Sequence, residues 1–208
     1  MNEDLPELPP EGFLKEDTSP DPLFYAQPRF VTHIDESAIA AVTELYRGLF
    51  PAGGTVLDLM GSWVAHLPPE IDYAEVIGHG MNEEELKANP RYTRYFLQDL
   101  NANPVLPLVD ASIDAAAICV SVQYLQRPVA VFREVKRVLK PRGVLAITFS
   151  NRCFPTKAVA IWLHLPMGQH PRLVSLYLDR AGFAAIEPRV VVPPGLPEDP
   201  LWAVIGRA

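Results

Sequence analysis

The sequence predicts an α/β protein built on an open, mostly parallel, doubly wound β-sheet with helices on both faces. Short apolar runs of strand length alternate with segments whose apolar residues recur at helical spacing. The run 113–120 is apolar almost throughout, as expected of a strand covered on both faces in a parallel sheet. Strands separated by helices predict βαβ units with right-handed crossovers.

The individual elements follow from this alternation. The predicted strands lie at 55–59, 73–78, 94–97, 113–120, 144–149, 183–192 and 201–205, and the predicted helices at 35–49, 82–89, 128–139 and 172–181. Asn82 and Glu85 have capping-box spacing, Pro128 suits a first helical turn, and Gly182 suits a helix end. No helix signal separates the last two strands, so we expect them to be antiparallel neighbours.

The composition is that of an acidic globular domain. The chain has 208 residues, 49% of them hydrophobic, and a formal net charge of −7, which suits one domain with a sizeable core. Binding of a phosphate backbone needs clustered Lys and Arg, so we expect no nucleic-acid partner. No apolar run reaches the ~20 residues that cross a membrane. Residues 1–4 are acidic and do not resemble a signal peptide, so we expect a cytoplasmic protein that binds no membrane.

The chain contains 22 prolines and two cysteines. Prolines crowd the first 28 residues, and residues 1–22 indicate an acidic, mobile arm. We therefore divide the chain into an arm at 1–34 and a main domain at 35–208.

Cys119 and Cys153 stand alone, and the five histidines lack ligand spacing, so we expect reduced thiols and no metal.

Several motifs, in order, carry a resemblance to a known family. Residues 131–145 (VFREVKRVLKPRGVL) resemble the helix, Leu-Lys-Pro-Gly-Gly turn and fifth strand of the class I S-adenosylmethionine-dependent methyltransferases, with Arg142 at the first glycine of the turn. Residues 106–115 (LPLVDASIDA) are similar to that family's entry into strand four, and 121–125 (SVQYL) to the segment after it. The AGF at 181–183 precedes strand six as in the family. The likeness spans about 38–206 and is greatest to the small-molecule branch called type 11.

The resemblance implies a seven-stranded sheet of order 3-2-1-4-5-7-6 and S-adenosylmethionine as cofactor. The cofactor would lie across the carboxyl ends of strands one, two and four, where the strand order reverses. The methionyl part would face the end of strand one, the ribose the turn after strand two, the adenine the end of strand three, and the sulfonium the end of strand four. The residues implied are Asp58, Leu59, Met60, Gly61, Gly80, Met81, Asn82, Asp99, Leu100, Ser121 and Val122.

Methyl transfer depends mainly on bringing donor and acceptor together, sometimes with the help of a base, so no compact catalytic motif is expected. The candidate catalytic residues are Tyr124, just beyond strand four, and His33. In related enzymes the segment that would contain His33 folds over the cofactor as a lid. Tyr124 can instead be a packing aromatic, and His33 a capping or surface residue. We expect a small-molecule acceptor and a monomer or homodimer.

Two departures from the family pattern keep an alternative open. The loop after strand one has Met60, Ser62 and Val64 where the family has glycines, and only Gly61 remains. Gly80 stands where the family has a carboxylate for the ribose, which forgoes charge-assisted hydrogen bonds. The alternative is a methyltransferase-like protein with a degenerate cofactor site that serves as a binding or regulatory module. A nicotinamide-dependent oxidoreductase is a third alternative, although G-x-G-x-x-G is missing after strand one.

Overall fold

The computed structural model describes residues 4–208 as one seven-stranded sheet of order β3-β2-β1-β4-β5-β7-β6. The first three residues, part of the acidic start that argued against a signal peptide, lie outside the described range. The strands are β1 Thr55–Asp58, β2 Glu75–Gly80, β3 Arg94–Leu97, β4 Ile113–Cys119, β5 Leu139–Ser150, β6 Ala184–Val192 and β7 Leu201–Arg207. Strands β1 to β5 pair in parallel, and β7 runs antiparallel to both β5 and β6. The predicted sheet order and the antiparallel last pair are confirmed.

Six α-helices accompany the sheet within residues 4–208. They are α1 Asp21–Phe24, α2 Glu36–Leu49, α3 Glu83–Ala88, α4 Pro128–Val138, α5 Ala160–His164 and α6 His170–Arg180. Helix α2 begins where the Asp35 side chain accepts a 2.8 Å hydrogen bond from the Ala38 amide, a typical N-cap. Helix α3 begins in the same way at Asn82, which accepts a 3.0 Å bond from the Glu85 amide. None of these helices is both long and apolar enough to cross a membrane.

Two hydrophobic cores lie on opposite faces of the sheet. In β1, Val56 packs with Val42 and Tyr46 of α2, whereas the next residue, Leu57, belongs to the core that contains Phe132 of α4. Successive side chains of a strand point to opposite faces, so a short apolar strand supplies both cores. This is the doubly wound arrangement that the sequence predicts.

Some element bounds differ from the predictions. Strand β2 begins and ends two residues later than expected, and β5 begins at Leu139 rather than after a turn at 141–143. The register between β4 and β5 shifts between Ile113 and Ala115, and Arg142 has a φ of 69°. Between the pairs Ile113–Leu139 and Ala115–Val144, β5 advances by five residues and β4 by two, so the residues of the expected turn loop out of the pairing within β5.

The connection from β1 to β2 is irregular rather than helical. No helix or strand lies between Asp58 and Glu75, and Pro68-Pro69 in this stretch cannot supply amide hydrogens to a helix. The crossover that a βαβ unit normally makes with a helix is made here by a loop. This loop, 59–74, lies at the edge of the sheet where a ligand is expected.

The N-terminal segment packs against the domain, so the expectation of a mobile arm is corrected. Leu5 is completely buried, and Phe13 is 5% exposed within the larger core. Lys15 forms an isolated bridge with Val159. Prolines that suggested an arm instead lie in the first turns of two short helical segments, Pro10–Phe13 and Asp21–Phe24, and Leu5 and Phe13 insert into the core.

A buried ionic cluster fastens this segment. Lys157 is fully buried, and its Nζ lies 2.7 Å from the Ser19 carbonyl, 3.1 Å from Asp17 Oδ2 and 3.3 Å from Asp21 Oδ1. Asp21 also pairs with Lys15. Burial opposes ionisation of Asp21, but the Lys15 bond and the other donors around it lower its pKa overall. The buried lysine thus has a full set of oxygen partners from the segment 17–21.

Replacement of the buried lysine tests this fastening. We expect Lys157→Met to lower the free energy of unfolding by about 3 kcal/mol, because it removes the buried cation that the oxygens of residues 17–21 surround, although Asp21 keeps its pairing with Lys15. The matched control is Arg180→Met, which removes an exposed ion pair to Glu7 in the same segment and should cost below ~1 kcal/mol. Urea denaturation followed by circular dichroism measures both. Equal losses in the two variants would contradict the assignment.

Candidate active site

The sheet order reverses between β1 and β4, and a cavity of about 510 Å³ opens there at the carboxyl ends of the strands. Its volume lies within the ~300–1,000 Å³ that is usual for small-molecule sites, and its place is the one that open α/β sheets use for ligands. The walls come from the ends of β1, β2, β3 and β4, from the segment 21–33 and from the loop 151–154. We refer to this cavity as the cleft.

All but two of the predicted site residues line the cleft. Those that do are His33, Asp58, Met60, Gly61, Gly80, Met81, Asn82, Asp99, Leu100, Ser121 and Tyr124. Leu59 and Val122 are instead buried in the core that contains α4, so their side chains do not line the cleft. The Leu59 amide continues the sheet by donating to Ala117, and its side chain therefore points to the face opposite to that of Asp58.

Asp58 ends β1 as a nearly buried carboxyl group in the cleft. Its Oδ2 accepts a 2.7 Å hydrogen bond from Tyr92 Oη. Burial raises the pKa of Asp58 to about 7, although the Tyr92 bond acts in the opposite direction. Burial, together with the adjacent Asp58, also raises the pKa of Tyr92. A cation beside this pair would favour the ionised carboxylate, because opposite charges stabilise one another in a poorly hydrated site.

Glycines make room for this pair. A Cβ atom at Gly61 would lie 2.3 Å from Tyr92 Oη and 2.8 Å from Asp58 Oδ2, and one at Gly78 would lie 2.3 Å from the Tyr92 ring. A Cβ at Gly80 would lie 2.8 Å from the Gly61 carbonyl oxygen. No side chain, and therefore no carboxylate, fits at position 80 while the loop after β1 runs this close to β2.

Three residues of the cleft have left-handed backbones although they are not glycines. The φ angles are 59° for Met60, 49° for His66 and 44° for Val120. Such angles are costly, especially for a β-branched residue, and they tend to occur at functional sites. Met60 thus adopts a conformation typical of glycine at a position where glycine was expected.

His79 joins two loops beneath the cleft. Its Nδ1 accepts a 3.0 Å bond from the Met60 amide, and its Nε2 lies 3.0 Å from the Gln98 carbonyl oxygen. Nε2 must therefore carry the proton and donate it to Gln98. Burial lowers the pKa of His79 to about 4, so the ring is neutral near pH 7. His79 acts as a structural link between these loops.

Asn82 fastens the N-terminal segment across the cleft. Its Nδ2 donates to the carbonyl oxygens of Tyr25, at 3.0 Å, and Ala26, at 3.2 Å. Its Oδ1 caps α3 by accepting from the Glu85 amide. Every polar atom of this side chain is thus engaged, and a ligand would have to compete with the segment for it.

Glu85 and Trp63 make two further connections to the same segment. Glu85 Oε1 accepts a 2.6 Å bond from the Arg29 amide, and its Oε2 accepts a 2.5 Å bond from Ser62 Oγ. Trp63 Nε1 donates a 3.0 Å bond to the Val31 carbonyl. Residues 25–31 therefore lie over the cleft and are held from both the loop after β1 and the start of α3.

The two candidate catalytic residues both contact Phe154. Tyr124 Oη accepts a 2.9 Å bond from the Phe154 amide, and the His33 ring meets the Phe154 ring edge-on at 5.4 Å. Burial raises the pKa of Tyr124 to about 12, so its hydroxyl stays protonated and can donate. Burial also lowers the pKa of His33, against the opposite effect of Glu85. His33 is therefore the better proton acceptor of the two.

Sequence reasoning missed three residues of this region. Tyr92 and Glu85 reach the site from beyond β2, and His66 lines the cleft from the loop after β1. The spacing of Asn82 and Glu85 indicated a helix cap but not the contact of Glu85 with Ser62. Tyr92 had no local signal, because its role depends on the gap above Gly78. Within residues 4–208, no group of three or more His, Cys, Asp or Glu residues is placed to hold a metal ion.

Comparisons with known proteins agree with this geometry. The family model "Methyltransferase domain" matches residues 60–147. A comparison with curated proteins by sequence finds no match. A SAM dependent methyltransferase from Archaeoglobus fulgidus superposes with a TM-score of 0.62 at 15% identity, over 84% of this chain and 95% of that one.

Two other solved structures show the range of proteins that share this fold. The [4+2]-cyclase SpnF superposes with a TM-score of 0.62 at 16% identity, over 88% of this chain and 86% of that one. The phosphoethanolamine N-methyltransferase 2 of Haemonchus contortus, in complex with S-adenosyl-L-methionine, has a TM-score of 0.58 at 13% identity, over 81% of this chain and 52% of that one. The family model matches residues 60–147, and the chain as a whole has the fold of the class I S-adenosylmethionine-dependent methyltransferases.

Proposed function

We propose that this chain is an S-adenosylmethionine-dependent methyltransferase that acts on a small molecule. The observation that carries the proposal is the cleft of about 510 Å³ at the point where the sheet order reverses, with the Asp58 carboxyl group at its floor. The match of residues 60–147 to a methyltransferase domain supports the same reaction. A cleft of this size suits two small ligands side by side better than a polymer.

The residues of the cleft fit this cofactor. Ser121 Oγ is buried and has no hydrogen-bond partner within the described residues, so it is available to a ligand. Asp99 uses Oδ1 to accept from the Asn101 amide, which leaves Oδ2 available to an exocyclic amine. Asp58 suits the charged amino group of the methionyl part. Met60 and Leu100 supply apolar wall.

The ribose side of the cleft is arranged differently from the family pattern. Position 80 is closed to a carboxylate by the Gly61 carbonyl. His79 and Asn82 are engaged in the contacts described above. Glu85 is the carboxylate that faces the cleft on this side, and it can accept further hydrogen bonds because a carboxylate has about four lone-pair sites.

The cofactor would supply an electrophilic methyl group, and the chain's own residues would position the acceptor. The segment 25–33 covers the cleft and reduces access of water to the reacting groups. His33, neutral near pH 7, can accept a proton from the acceptor. Tyr124 keeps its proton at this pH and can orient an acceptor oxygen or nitrogen by donating to it.

The alternative function is a binding or regulatory module without methyl transfer. The engaged Asn82 and the closed position 80 favour it. The [4+2]-cyclase among the structural relatives shows that the fold does not require methyl transfer. Ligand titration separates the two functions.

Calorimetric titration with S-adenosylmethionine and S-adenosylhomocysteine tests the proposal. We expect both to bind to the wild-type protein, and Asp58→Asn to weaken binding at least about tenfold, because a charge-assisted hydrogen bond is lost. Asp110→Asn is the matched control, since Asp110 is exposed and pairs with Arg137 away from the cleft, and it should bind like the wild type. Absence of heat up to millimolar ligand would overturn the methyltransferase function and favour the binding module.

Binding should also depend on pH. The pKa of Asp58 near 7 in the free protein means that the carboxyl group is mostly protonated below this pH. The ionised form attracts a cationic ligand, so affinity for S-adenosylhomocysteine should rise from pH 6 to pH 8, and binding near pH 7 should release a proton. Calorimetry in buffers of different ionisation enthalpy measures the release. Asp58→Asn should bind with no such rise, and a flat wild-type profile would contradict the role of Asp58.

A further inference from the structure

We propose that the acceptor is a planar organic acid whose carboxylate or phosphate group binds to Arg29 in the outer half of the cleft. The proposal rests on the proposed function and adds the chemical class of its substrate. Arg29 belongs to the segment 25–31 and lines the cleft beside Tyr25 and Phe154. Its side chain is half-buried and held in place from several directions.

Aromatic rings surround the faces of the Arg29 guanidinium. Its Cζ lies 4.5 Å from the centre of the Phe24 ring, 5.4 Å from that of Phe154 and 5.9 Å from that of Tyr25. The faces of the cation therefore pack against rings, whose π-electrons attract it. A guanidinium packed in this way can accept an anion only at its edge, where the N–H groups point.

Most of these N–H groups have no hydrogen-bond partner among residues 4–208. Nη2 donates to the Phe24 carbonyl at 2.9 Å and Nη1 donates to the Gln27 carbonyl at 3.4 Å. A guanidinium carries five N–H donors, so three remain. None of the ion pairs formed within residues 4–208 includes Arg29, although the nearby cations Lys157 and Arg152 are paired with Asp21 and Asp199.

The backbone of Arg29 is fixed independently of its side chain. Its amide donates to Glu85 Oε1 at 2.6 Å, and the neighbouring Tyr25 carbonyl accepts from Asn82. The cation is therefore preorganised at the edge of the cleft, which reduces the entropy lost when an anion binds. Glu85 accepts the bond from the Arg29 amide with Oε1 and that from the Ser62 hydroxyl with Oε2, so it fixes the Arg29 backbone to the loop after β1.

The surrounding walls indicate the shape of the ligand. Tyr25, Tyr124 and Phe154 line the cleft together with Arg29, so the wall beside the cation is aromatic and favours contact with a planar ring. A planar acid would pair its anionic group with the guanidinium in the bidentate geometry that carboxylates and phosphates share. His33, on the same side of the cleft, is then placed to accept a proton from another group of that molecule.

The test compares three small aromatic probes by saturation-transfer difference NMR: benzoate, phenyl phosphate and the neutral isostere benzamide. We expect the wild-type protein to bind at least one of the two anions at least about tenfold more tightly than benzamide. Preference for benzoate would identify a carboxylate ligand, and preference for phenyl phosphate a phosphate ligand. Equal affinity for all three probes, or binding of none, would overturn the proposal without any variant.

Substitutions then test whether Arg29 causes the preference for the anionic probes. Arg29→Met should abolish it, Arg29→Lys should retain part of it, and Arg172→Met, at an exposed position of α6 away from the cleft, should leave it unchanged. Retention of full preference in Arg29→Met, with a native circular dichroism spectrum, would also overturn the proposal. The probes are titrated with and without S-adenosylhomocysteine. Failure of S-adenosylhomocysteine to bind would count against the methyltransferase function alone, because the probe preference is measured separately.

Discussion

The shape of the cleft depends on how closely the chain after β1 approaches the end of β2. The Tyr92 ring packs against Gly78, and its hydroxyl donates a 2.7 Å hydrogen bond to Asp58 beside Gly61. A Cβ atom at Gly61 or Gly78 would collide with this pair. A Cβ atom at Gly80 would collide with the Gly61 carbonyl oxygen. The close approach of Gly61 to Gly80 thus leaves no room for a carboxylate at position 80, and Asp58 is a buried carboxyl group at the end of β1.

The N-terminal segment forms the other wall of the cleft. A fully buried lysine fastens residues 17–21 to the domain, and Asn82, Glu85 and Trp63 hold residues 25–31 across the cleft. The same contacts that bring Arg29 and His33 to the site also use polar atoms that a ligand could have used. A ligand that binds to these polar atoms must therefore displace the segment that covers the cleft.

The elements of the fold could be predicted because their signals are local. The apolar run of β4, the cap at Asn82 and the left-handed Gly182 follow from residues close together in the chain. The family resemblance implied that Asp58 and Ser121 lie beside the ligand, and both line the cleft at the carboxyl ends of β1 and β4. The side chains of Leu59 and Val122 lie in the core instead, since being next to a residue of the cleft does not decide which face of the sheet a side chain points to.

The sequence by itself therefore determined the doubly wound sheet, its order through the family resemblance, and the edge at which a ligand would bind. The tertiary structure decided what stands at that edge. The contact of Tyr92 with Asp58, the hydrogen bond from Met60 to His79 and the packing of Arg29 against the Phe154 ring join residues far apart in the chain. Such contacts carry no periodic signal, because they depend on the distance between loops after the strands have paired. Local patterns define strands and helices, whereas the chemistry of the cleft is set by the packing of the loops that join them.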